Sequence, residues 1–308
     1  MKKFLRAMLV VLALVIGAVA MVGCGGEKDI MVMIREDGSG TRDAFENLIV
    51  KGDTKLKDAE LVSTVVEHQS TGAAMSAVAA NKTAIGYVSL GSVNDTVKVL
   101  KVNGVTPSAE TVLDKSYSLY RPFVIMTKKG VESTPAVADF IKFLQSKQAQ
   151  EIVLEHGYVQ QLDENTPDYV VPDDLTEIAA GVVNLRGSTS IQPLMVGDED
   201  TTGLIEAYLE LTNLGEGHFN VLCTGSSQGI SEVKKEENNG DIIGLSSSAL
   251  GQDDAAVIDN FDIALDAVAI VVHPDNELED ITIEQIFDIY TGAITKFSTL
   301  LPKTEEAA

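Results

Sequence analysis

Arg35-Glu36-Asp37-Gly38-Ser39-Gly40-Thr41-Arg42 follows a short apolar run over residues 30–34 and precedes a helical pattern that opens at Asp43-Ala44-Phe45. A strand therefore runs into a glycine-rich turn and then into a helix N-terminus. Such a junction leaves backbone N–H groups free and presents the positive end of a helix dipole, an environment that suits an anion. Ser39 and Thr41 add hydroxyl donors, Gly40 permits close backbone approach, and Arg35 adds a fixed guanidinium fork. An ordinary capped turn would share this local pattern, so the rest of the chain has to decide between the two.

Outward from this stretch the same arrangement recurs. The apolar run 182–185 leads into Arg186-Gly187-Ser188-Thr189-Ser190, and Pro193 suits a first helical turn. Residues 219–224 lead into Gly225-Ser226-Ser227-Gln228-Gly229, and 241–245 into Ser246-Ser247-Ser248. Capping alone does not call for so many polar junctions. Open α/β sheets collect ligands beyond the carboxyl ends of their strands, so convergence on one small oxyanion is the better reading. Between the junctions, strands are predicted at 61–66, 84–88 and 122–126, and a helix over 70–80 capped by Ser70 or Thr71. One long amphipathic helix is predicted over 135–155. Strands and helices alternate, so the class is α/β. The acidic segment 162–180, with Pro167 and Pro172, reads as a surface linker between two halves.

The length of 308 residues allows two lobes. Net charge is −23, a surface that repels nucleic acid and anionic membranes, so an anion site must be built locally. Residues 1–23 read as a targeting segment, with Lys2-Lys3 at the start and an apolar run over 8–22. Removing the three basic residues of that segment from the total of 23 leaves 20 against 46 acidic side chains. Met21-Val22-Gly23-Cys24 resembles a bacterial lipoprotein signal, in which the cysteine becomes the lipidated first residue. A plain secretory signal is the alternative; the run is short for a membrane span. With Cys24 lipidated, Cys223 has no thiol to pair with and reads as a buried core residue.

Taken together, the junctions resemble those of bacterial phosphate-binding proteins, the extracytoplasmic receptors of high-affinity phosphate ABC transporters. Gly187-Ser188-Thr189-Ser190 is similar to that family's opening phosphate loop. The run from Asp266 to Asn276 resembles its interlobe strand, and 281–297 the helix and turn that follow. Residues 35–45, 84–90 and 117–123 match the second half of the family pattern. The halves stand in reversed order, which makes the chain resemble a circular permutant broken after the turn at 294–297, its former ends joined by 160–181. A truncated tandem duplicate would give a similar order. The targeting segment just before Asp29 favours a genuine start.

The resemblance implies a two-lobe periplasmic-binding-protein fold of type II in permuted order. One lobe would be continuous over 117–265 and would contain the linker near 160–181. The other would combine 27–116 with 266–308. Hinge strands would lie near 117–126 and 263–272. The resemblance also implies phosphate contacts at Arg35, Ser39, Gly40, Thr41, Thr189, Ser190, Ser226 and Ser247. Some members carry an aspartate at the position of Ser247, where it accepts the phosphate proton and rejects sulfate. Asp37 is the remaining nearby carboxylate, read as orienting Arg35 or capping the helix, with direct ligand contact as the alternative.

The implied function is a monomeric, lipid-anchored receptor that binds inorganic phosphate, needs no cofactor and delivers its ligand to ABC permease subunits. A phosphate sensor or surface interaction protein without a transport role is the alternative, and a sulfate-like receptor a further one. A phosphatase or esterase would use Ser227 in Gly225-Ser226-Ser227-Gln228-Gly229 as nucleophile with His273 as base. Asp198-Glu199-Asp200-Thr201-Thr202-Gly203 imitates a calcium loop, but Leu209 stands where the bidentate glutamate belongs. No metal is expected.

Overall fold

The apolar run before Arg35 forms β1 (Met31–Arg35), buried from Val32 onward. Parallel strands covered on both faces read as continuous apolar runs in this way. The computed structural model describes residues 27–198 and 201–301. The targeting segment 1–23, the proposed lipidation site Cys24, and Glu199 and Asp200 of the calcium-like loop lie outside the described residues.

After β1 come α1 (Gly40–Leu48), β2 (Val66–His68), α2 (Thr71–Ala79) and β3 (Ala84–Ser89). Then follow β4 (Tyr120–Lys128), α3 (Pro135–Leu144), α4 (Lys147–Glu155), β5 (Val183–Gly187) and α5 (Gln192–Val196). The chain continues through α6 (Leu204–Thr212), β6 (Phe219–Cys223), α7 (Ser226–Lys234), β7 (Ile242–Ser246), β8 (Ile258–Val272) and α8 (Ile283–Tyr290). These strands lie in one sheet in the order β6-β5-β7-β4-β8-β3-β1-β2.

The outer strands on each side are parallel, β5 with β6 and β7, and β1 with β2 and β3. The two strands in the middle are antiparallel to each other and to their neighbours. β8 runs beside β4 for most of its length, passes through an irregularity between Asp262 and Ala264, and then pairs with β3. It crosses from one lobe to the other. Each side has its own core: Phe123, Phe140, Phe143, Leu185 and Tyr208 in one, and Phe45, Tyr87, Ile270 and Tyr290 in the other. In the second core Phe45 stacks on Tyr87 at 3.9 Å between ring centroids.

Local structure departs from the sequence expectation at three places. The strand predicted at 61–66 is only Val66–His68, because Val62 packs against the core and its N–H bonds to the Tyr290 carbonyl. The helix predicted over 135–155 is two helices. Ser146 breaks it: its hydroxyl accepts from the Ala149 N–H and donates to the Phe143 carbonyl, so it starts α4 where α3 ends. Cys223 is half-buried on the edge strand rather than fully enclosed, though burial still pushes its thiol up to about 11.

The acidic segment read as a surface linker is pinned to the molecule. Tyr169 is buried, and its hydroxyl donates to Asp139 Oδ2 at 2.6 Å beside the Tyr208 hydroxyl at 2.9 Å. Gln148 bonds both the N–H and the carbonyl of Tyr169, and the Lys147 N–H bonds the Pro167 carbonyl. An aromatic residue inside an acidic stretch was the sequence signal for this anchor.

Candidate functional site between the lobes

The parallel strands β1, β5, β6 and β7 all end at the contact between the two lobes, and α1, α2 and α7 begin there. Arg35, the last residue of β1, is 1% exposed. Its guanidinium is held on three sides. Nε and Nη2 donate to the two oxygens of Glu36, each at 2.7 Å. Nη1 donates to Thr71 Oγ1 at 2.9 Å. Nη2 also reaches Thr189 Oγ1 of the opposite lobe at 3.0 Å.

Hydroxyls surround this fork. Ser190 Oγ lies 2.8 Å from Thr41 Oγ1 and 3.0 Å from Thr71 Oγ1, across the lobe boundary. Ser188 donates to Ser247 at 2.8 Å, and the Ser226 hydroxyl accepts from the Ser247 N–H at 3.0 Å. Ser39 is buried at the start of α1, where its side chain accepts from the Arg42 N–H. That bond uses an oxygen lone pair and leaves the O–H proton free to donate elsewhere.

Two glycines let the lobes meet. A Cβ on Gly40 would stand 2.5 Å from Ser226 Oγ and 2.7 Å from Ser247 Oγ. Gly38 has φ of +81°, and its added Cβ would strike Ser227 Oγ, while its carbonyl accepts from the Ser227 N–H at 3.1 Å. A side chain at either position would wedge the lobes apart.

The sequence-predicted residues Arg35, Ser39, Gly40, Thr41, Thr189, Ser190, Ser226 and Ser247 thus come together in one interlobe cluster. Asp37 does not join it: the residue is exposed, and Glu36 takes the role of orienting Arg35. The reason is geometric. Arg35 is the last residue of its strand, and its immediate neighbour has the short reach that a fork-to-fork pair needs. Sequence reasoning also passed over Thr71, read only as a helix cap, and Ser188. The repeated strand–Ser/Thr–helix pattern could have found both. The cluster carries one cation and one buried carboxylate in direct contact, so an arriving anion meets paired charges and many dipoles.

Behind the cluster lies a buried ion pair on the two crossing strands. Arg121 of β4 faces Asp266 of β8 in register, with Nη2 to Oδ2 at 3.0 Å. Arg121 Nη1 donates to the Ser247 carbonyl in one lobe. Asp266 Oδ1 accepts from the Ser89 hydroxyl and the Leu90 N–H in the other. Burial pushes the Asp266 carboxyl up to about 6, against the pull of Arg121 and these hydrogen bonds.

Two clefts flank the cluster. One, of about 330 Å³, is rimmed by Asp37, Asp43, Glu46 and Asp254 together with Arg42. The other, of about 370 Å³, has Thr71 and Thr189 on its wall with Met75 and Pro193. Among the described residues, no group of three or more His, Cys, Asp or Glu side chains could hold a metal ion. No described helix is long and apolar enough to cross a membrane.

The architecture is that of a two-lobed solute-binding protein, and comparison with known proteins agrees. The profile of the PBP superfamily domain matches residues 23–148 and 182–307. The chain belongs to this superfamily and, within it, to the phosphate-binding proteins of phosphate ABC transporters. Phosphate-binding protein PstS 2 of Streptococcus pneumoniae serotype 4 is 33% identical over 306 residues, which cover 96% of this chain and 99% of the relative. The crystal structure of a phosphate ABC transporter phosphate-binding protein from S. pneumoniae TIGR4 superimposes with a TM-score of 0.63 at 33% identity. That match covers 89% of this chain and all of the other. Phosphate-binding protein PstS of Borreliella burgdorferi aligns at 26% identity over only 44% of this chain and 50% of its own length.

Membership in a family of binding proteins sets aside the hydrolase reading. Ser227 is exposed and its backbone N–H bonds the Gly38 carbonyl, while His273 Nδ1 accepts from the Asp275 N–H beyond the end of β8.

Proposed function

We propose that this protein binds inorganic phosphate at the interlobe cluster and delivers it to ABC permease subunits, as an extracytoplasmic monomer anchored by lipid at Cys24. The observation that carries the reading is the Arg35 fork, which reaches Glu36 and Thr71 in its own lobe and Thr189 in the other. A buried oxyanion is costly unless each oxygen is met by a donor. Arg35, Thr41, Thr189, Ser190, Ser226 and Ser247, with the hydroxyl of Ser39 and the backbone at Gly40, supply donors from both sides. A ligand that touches both lobes only when they meet shifts the population toward the closed state.

Ser247 stands where some members of the family carry the aspartate that rejects sulfate. Ser247 bonds Ser188 and Ser226 and brings no negative charge. The buried carboxylate in the cluster is Glu36, with both oxygens engaged on Arg35.

The segment order supports a permuted gene. The streptococcal relative aligns end to end with this chain, and the borrelial one stops at half of each. We infer that this chain shares its order with the former and differs in order from the latter.

Calorimetric titration of the purified protein with phosphate and then sulfate tests the reading. A dissociation constant near or below micromolar, about −8 kcal/mol or stronger, is expected for phosphate, with a weaker response to sulfate. Tight sulfate binding would keep the oxyanion site and overturn the ligand. The sensor alternative draws on the first described residues: Glu27 and Asp29 bond Ser298 and Lys296, on the lobe bearing Arg35. Phosphate uptake that persists after deletion of the gene would favour it.

A further inference from the structure

We propose that Thr71 is a ligand-contacting residue, and that α2 delivers a donor to the site alongside the turns already described. The inference rests on the phosphate reading above.

The geometry is specific. Thr71 is 3% exposed and occupies the first position of α2, whose N-cap is Ser70. Ser70 satisfies the Ala73 N–H, so Thr71 is not needed as a cap and its hydroxyl is free to turn toward the cleft. It lies 2.9 Å from Arg35 Nη1 and 3.0 Å from Ser190 Oγ. The same Ser190 oxygen is 2.8 Å from Thr41. Thr41 and Thr71 therefore grip one hydroxyl of the opposite lobe from two sides. An anion oxygen that takes the place of that hydroxyl between Thr41 and Thr71 lies within hydrogen-bond reach of Thr71. Thr71 also lines the cleft of about 370 Å³ beside the cluster, and its oxygen faces Thr189 and Ser190 across the lobe boundary.

A threonine here suits the task. Its hydroxyl both donates and accepts, and so bonds a phosphate oxygen or a phosphate O–H. Its position at the start of α2 adds the helix dipole to the positive potential at the site. Its remaining lone pair can stay on Arg35 Nη1, so ligand contact and guanidinium positioning are compatible.

Calorimetry with inorganic phosphate on Thr71→Val and Thr71→Ser tests this, with thermal melts of the ligand-free proteins as a check on folding. Val keeps the shape and removes the hydroxyl; Ser restores it. Phosphate affinity should fall by about tenfold or more in Thr71→Val and return to within about threefold in Thr71→Ser. A crystal structure of the wild type with phosphate should place a phosphate oxygen about 2.6–3.2 Å from Thr71 Oγ1. A wild-type complex with no phosphate oxygen within about 3.5 Å of Thr71 would overturn the contact, whatever the affinities. So would a Thr71→Val protein that binds as the wild type does. A wild type that fails to bind phosphate is a different result: it removes the phosphate reading, and this inference with it.

Discussion

At the residue scale, the site depends on one ion pair and one missing side chain. Arg35 and Glu36 are both buried and bond through two parallel contacts, the geometry in which a guanidinium and a carboxylate interact best. Breaking such a pair leaves an uncompensated buried charge. Glu36→Ala should therefore lower stability by about 3 kcal/mol, read as a shift in the denaturant midpoint. Asp37→Ala, at an exposed position, should change it by less than about 0.5 kcal/mol. Equal effects of the two substitutions would return the orienting role to Asp37. Gly40→Ala acts differently, because its methyl would meet Ser226 and Ser247 of the other lobe. Each lobe has its own core, so the melting temperature without ligand should hold while phosphate affinity drops by at least about tenfold. Unchanged affinity would mean that the lobes need not approach this closely to bind. Close approach at Gly40 was legible in the sequence; the pairing of Arg35 with Glu36 was not. Adjacent acids at 36 and 37 look alike in a sequence, and only the direction each side chain takes at the strand end separates them.

At the element scale, the helices of the lobe built around Phe123, Phe140 and Leu185 are set by side chains that bond the backbone. Ser146 divides what the apolar spacing reads as one helix, since Ile141, Leu144, Ile152 and Val153 keep facing the core across the break. Periodicity reports the face a segment presents and is blind to a single turn out of line. Ser146→Ala should cost about 1 kcal/mol in chemical denaturation; a neutral result would show that packing alone starts α4. The joining segment is likewise held by Tyr169 on Asp139. Tyr169→Phe should cost about 1 kcal/mol and speed proteolytic cleavage within 161–175, with the fragment pattern read by mass spectrometry. Unaltered cleavage would show that the Gln148 bonds to the Tyr169 backbone suffice.

At the scale of the whole molecule, β4 and β8 join the lobes, and Arg121 and Asp266 tie this crossing to Ser247 on one side and to Ser89 on the other. The Asp266 carboxyl is raised in the folded protein, to about 6 from 3.8. A carboxyl raised on folding binds its proton more tightly when folded, so its contribution to stability is full below the unfolded value and is lost as pH rises through about 6. Between pH 4 and 6.5 the melting temperature of the wild type, relative to that of Asp266→Asn, should rise as the pH falls. A flat difference across that window would show that Asp266 does not titrate there. The α/β class, the strand-to-hydroxyl junctions and the phosphate-loop resemblance were all readable in the sequence, because apolar period and turn chemistry are local properties. The reversed segment order that we propose rests on linear succession alone. Tertiary structure decided the rest: that Glu36 and not Asp37 holds Arg35, that Thr71 reaches Ser190 of the other lobe, and that Arg121 meets Asp266. These are contacts between side chains far apart in the chain or turned by a strand end, and their partners exist only once two lobes have folded and met across one crossing.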